Sequence, residues 1–121
     1  MQQHGALAYQ QTAKAVESPR EREAALLIRA AAEMQAVVDN WPGDAERLNR
    51  ALTFNRKLWT VFISSANGEE NPLPRQIRQN IVNLGLFVMN QTREIILEPA
   101  PQKLGSMINI NRQLAAGLRG Q

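Results

Sequence analysis

A chain of 121 residues with 44% apolar, 21% charged and 5% aromatic side chains is long enough to bury one core and requires no second domain. The absence of cysteine excludes a disulfide framework, a thiolate metal site and a cysteine nucleophile. The net charge of +3 is uneven, because residues 71–121 hold six basic and two acidic side chains and residues 1–70 hold eight and nine.

Few aromatics and abundant Ala, Leu, Ile, Gln and Arg favour helices over sheets, so the expected fold is all-α. The amino terminus, MQQHGALAYQQTAKAV, lacks the basic start and apolar core of a secretory signal, and no apolar run approaches the roughly 18 residues of a membrane span. A soluble, cytoplasmic protein is expected.

Residues 1–17 are Gln- and Ala-rich with Leu7, Tyr9, Ala13 and Val16 as apolar points, which fits a mobile or weakly helical segment. Residues 18–121 read as one helical domain. Ser18 as cap, Pro19 at the first position and Glu21 three residues after the cap open a helix at Pro19. Its apolar stripe is Ala24, Leu27, Ile28, Ala31, Met34 and Val38, and Asn40, Trp41, Pro42 and Gly43 end it. The central helix spans 44–65, capped by Asp44, with Arg47 and Arg50 on its outer side. Leu48, Ala51, Leu52, Leu58, Trp59 and Phe62 form its stripe, and Phe54, Val61 and Ile63 fall partly outside it.

After the NGEENP break, a helix over 74–98 carries Ile77, Ile81, Leu84, Val88 and Ile95 at helical spacing, thickened by Leu86, Phe87 and Met89. Gly85 costs about 1 kcal/mol relative to alanine there, and its place between Leu84 and Leu86 points to close approach by another backbone. Pro99 and Pro101 stiffen the next link. The last helix, 102–118, presents Leu104, Met107, Ile108, Leu114 and Leu118, with Ile110 widening the face. Four helices with short connections predict a small antiparallel bundle.

Catalytic chemistry is not expected: no cysteine, one histidine (His4), and carboxylates gathered at helix starts and in NGEENP offer no convergent titratable group. Glu69 and Glu70 match no Ca²⁺ loop, and neither glycine turn leads into a phosphate-binding lysine and hydroxyl. No cofactor or metal is implied. Three surface readings of Arg56 and Lys57 beside Trp59 stay open: an RNA-stacking site, a partner anchor and the polar edge of a core helix. Asn109 and Asn111 read either as surface positions or as amides offered to a partner.

The segments AYQQTAKAVESPREREAALLIRAA, NRKLWTVFI, LPRQIRQNIVNLGLFVM and MININRQLAAGL, in this order, resemble the flagellar biosynthesis regulator FlaF family of alphaproteobacteria. The resemblance implies a small helical cytoplasmic protein that binds flagellin, acts as a secretion chaperone and positive regulator of flagellin synthesis and export, and works beside the translational repressor FlbT. On that reading an amphipathic flagellin helix packs on the faces of the last three helices. Trp59 and Phe62 serve as anchors with Leu58, Leu84, Val88, Ile108 and Asn111 around them, Gly85 allows close approach, and Arg56 and Arg78 pair with carboxylates at the rim. The alternative is a regulator that binds flagellin mRNA through Arg75, Arg78, Arg93, Lys103, Arg112 and Arg119. It ranks second because these cations alternate with apolar residues, so direct nucleic-acid binding is not the primary expectation. A structural dimer is the third reading.

Overall fold

The computed structural model describes residues 18–120, and the expectation for residues 1–17 lies outside them. Ser18 is extended and its hydroxyl accepts the Glu21 N–H at 3.1 Å, satisfying one of the donors that a helix start leaves open. Pro19 follows at the first helical position, and α1 runs over Pro19–Asp39. A tight turn through the cis Trp41–Pro42 bond and Gly43, whose φ is +43°, leads to Asp44. A Cβ on Gly43 would stand 2.7 Å from the Asn40 carbonyl oxygen, so both the backbone and the space call for glycine.

Asp44 accepts the Glu46 N–H at 2.9 Å and starts α2, Ala45–Asn67. In the next turn Asn71 accepts the Leu73 N–H at 2.9 Å and donates to the Ser65 carbonyl. Helix α3 covers Arg75–Leu97 with Pro74 as its cap, one position earlier in role than the sequence predicts. Ala100, before Pro101, is extended, and Glu98, before Pro99, has left the helical region. Pro101 then opens α4, Pro101–Arg119, so it belongs to the helix and only residues 98–100 link it to α3.

The four helices form an antiparallel ring in chain order. Leu27 opposite Asn111 and Glu21 opposite Arg119 run α1 against α4, while Arg78 beside Gly68 and Gln91 beside Lys103 do the same for α2 with α3 and α3 with α4. The α1–α4 contact is the most extensive and the α3–α4 contact the least. Buried stripes at three- and four-residue spacing fill the centre: Leu27, Met34, Trp59, Val88, Ile95, Leu104 and Met107 are fully enclosed. Ile28 turns out to solvent and Ala30 and Val37 take inward places on α1, which displaces the predicted stripe slightly around the helix. The described helices include none long and apolar enough to cross a membrane.

Candidate functional site

An amide network crosses the middle of the bundle. Trp59 Nε1 is a donor only, so it requires the Asn111 oxygen, which it reaches at 2.9 Å. That choice turns the Asn111 amide nitrogen toward α2 and α1, where it donates to Asn55 Oδ1 at 2.8 Å and to the Leu27 carbonyl at 3.3 Å. Asn55 in turn points its nitrogen at Met107 Sδ, 3.8 Å away. From α3, the Thr92 hydroxyl bonds the Val88 carbonyl at 2.7 Å and lies 3.7 Å from the same sulfur. Asn55 and Asn111 are both 0% exposed, and each buried polar group here has a partner, as a dry interior demands.

This geometry places the sequence-predicted residues in two groups. Trp59, Phe62, Gly85, Val88, Ile108 and Asn111 are inside the bundle. Trp59 meets Phe62 edge-on at 5.7 Å between centroids, and in this conformation neither presents surface to a partner. Arg56 is exposed, whereas Leu58, Arg78 and Leu84 are half-buried. Arg78 Nη1 donates to the Gly68 carbonyl at 3.3 Å, and its Nε is buried without a partner among the described residues. The close approach at Gly85 comes from side chains, not from a backbone. A Cβ there would overlap Ile63, and the Trp59 ring would stand at 3.4 Å. Sequence reasoning missed Asn55 and Thr92. The readable signal was position, since each is a polar residue at helical spacing within an apolar stripe, between Leu52 and Trp59 and between Val88 and Ile95.

Apolar surface remains outside. Where α3 and α4 part, Ile77, Ile81 and Leu84 face Ile110 and Leu114 across a cleft of about 240 Å³, with Asn80 and Gln113 at its edge. Phe87, 42% exposed, stands one turn after Leu84 and one turn before Gln91, on the same side of α3. Gln91 closes the far end of the seam by donating to the Lys103 carbonyl at 3.1 Å. A second cleft, about 740 Å³, opens where α1 begins, lined among others by Ser18, Glu23, Leu73 and Leu118. Burial there pushes the Glu23 carboxyl above its usual range, against the opposing pull of Arg20 and Arg22.

Of the six cations in the carboxyl half, Arg119 pairs with Glu21 at 3.5 Å, Lys103 with Glu98 at 3.9 Å, Arg93 donates to Asn90 and Arg78 to Gly68. Only Arg75 and Arg112 make no such bond among the described residues. Those residues also hold no cluster of three or more His, Asp or Glu side chains arranged for a metal ion.

Fold and site together define a small all-α protein, a ring of four helices keyed by a central amide network and leaving one apolar seam partly open. The model of the flagellar protein FlaF family matches residues 6–118, nearly the whole chain, and this chain belongs to that family. No curated protein and no solved structure matches it significantly.

Proposed function

We propose that this flagellar protein is a cytoplasmic flagellin-binding secretion chaperone that also promotes flagellin synthesis and export, with the repressor FlbT as a regulatory partner. It works by binding and carries no catalytic role. The observation that carries the reading is the α3–α4 seam. Ile77, Leu84, Ile110 and Leu114 stay half-buried although a link of only three residues joins their helices. A bundle that leaves such a strip uncovered has room for one more amphipathic helix, whose apolar stripe completes the packing. Flagellin subunits carry amphipathic terminal segments that must be shielded before export, and the seam supplies that shield. Leu84 is the predicted contact residue that remains on this surface, while Trp59, Phe62, Val88, Ile108 and Asn111 support it from beneath.

Calorimetric titration with monomeric flagellin tests this. Binding with a negative heat-capacity change is expected. Phe87→Asp, at an exposed position, should weaken it by about tenfold or more with unchanged helicity. Absence of flagellin binding by the wild-type chain would refute the chaperone reading, and wild-type affinity in Phe87→Asp would remove the seam from it.

A further inference from the structure

Away from the seam, the outer side of α2 carries a row of cations. Arg47, Arg50, Phe54 and Lys57 recur at steps of three, four and three residues, so they stand in one nearly straight line about 15 Å long. The line faces the gap between α1 and α2. Arg47 and Arg50 wall a concavity of about 430 Å³ floored by Ala32, Ala36 and Ala51, and Arg50, Phe54 and Lys57 line a second of about 350 Å³ that continues it. Arg47, Arg50 and Lys57 are exposed and pair with no carboxylate among the described residues. Arg29, on the opposite wall, is already engaged, 3.5 Å from Glu33 and 5.2 Å from the centre of the Phe54 ring. Glu46 is the other carboxylate in the groove.

We propose that this groove is a second docking surface, independent of the seam, and that its occupant is a helical segment of another protein with an acidic face. The alanine floor removes the side chains that would hold a helix at a distance, letting a backbone settle into the gap. A helix lying along α2 that repeats carboxylates at steps of three and four residues sets them opposite Arg47, Arg50 and Lys57, none of which forms an ion pair among the described residues. A nucleic-acid strand fits the same surface less well. The Phe54 ring is under the Arg29 guanidinium instead of free to stack on a base. A second copy of this chain does not supply the occupant either, since no described helix repeats three carboxylates at steps of three and four residues.

The test uses the full-length protein and fluorescence anisotropy with a labelled alanine-rich helical peptide bearing glutamates in the matching three- and four-residue pattern. Its glutamine counterpart and a labelled oligouridylate are the comparison ligands. The wild-type protein should bind the acidic helix and not the glutamine one, and raising salt from about 0.1 to about 1 M, where the Debye length falls from ~10 to ~3 Å, should largely abolish binding. The triple variant Arg47→Gln/Arg50→Gln/Lys57→Gln should weaken it about tenfold or more, while Arg75→Gln/Arg112→Gln, which removes the unbonded cations of the carboxyl half, should change it less than about twofold. The triple variant should keep wild-type affinity for flagellin. Three results would overturn the proposal: no binding of the acidic helix, equal losses in both variants, or tighter binding of oligouridylate through the same three residues. Loss of flagellin binding in the triple variant would end its independence from the seam.

Discussion

Asn111 donates to Asn55 at 2.8 Å in the middle of the bundle, from α4 to α2 across the diagonal of the ring. The same Asn111 side chain also accepts from Trp59 and reaches the Leu27 carbonyl. Replacing one member therefore strands the others. Asn111→Leu should destabilise the protein by about 3 kcal/mol or more, since it leaves a buried indole N–H and a buried amide oxygen without partners. Asn55→Leu/Asn111→Leu should cost clearly less than the sum of the two single changes. Denaturant unfolding of the four proteins in a double-mutant cycle measures the coupling, and simple additivity would contradict the network.

Trp59→Ala should lower stability by about 3–5 kcal/mol, the usual loss for a large enclosed aromatic, and should do so whether or not flagellin is present. The check is thermal unfolding followed by circular dichroism. A variant with unchanged melting that has lost only its partner would make Trp59 a binding anchor after all.

At Gly85 two effects oppose. Alanine gains about 1 kcal/mol of helix propensity, but its Cβ overlaps Ile63, and overpacking costs about 1–3 kcal/mol. The steric term should win, so Gly85→Ala is expected to be less stable than wild type. Adding Ile63→Ala to Gly85→Ala should restore more stability than overpacking relief elsewhere would explain, a sign reversal for a large-to-small change that chemical denaturation reads directly.

Glu23 gives a pH signature. Its folded pKa lies above the ordinary 4.5 because burial outweighs the attraction of Arg20 and Arg22. Its favourable contribution is therefore complete below the unfolded value and is lost as pH rises through the folded value. Glu23→Gln should melt above the wild type at neutral pH, and the gap should close as pH falls below about 4. A gap that widens on acidification would mean the carboxylate is stabilised in the folded state.

The helices were largely legible because local signals agreed with one another. The Ser18 cap with Pro19, the Asp44 cap and the prolines at 74 and 101 each mark a boundary that the backbone respects to within a residue or two. Which side of each stripe faces inward was less legible. Trp59 and Asn111 attracted attention as candidate contacts for a partner, but they hold each other, 52 residues apart in sequence, and no local pattern encodes that distance. For the same reason the six cations of the carboxyl half look available in the sequence, whereas four of them, Arg78, Arg93, Lys103 and Arg119, are bonded in the fold. The reverse holds for Arg47 and Lys57, which stand ten residues apart along the chain and align only once α2 is wound.

The amide network also ranks the helices by how firmly they are tied. Hydrogen bonds from Asn111 lock α1, α2 and α4 at a single level, but α3 reaches that level only through Thr92 and a methionine sulfur, a weak acceptor. The fourth stave of the barrel is thus unpinned at its waist. Prying α3 from α4 to seat a guest helix sacrifices a sulfur contact and the Gln91 bond, while the other three staves keep their register.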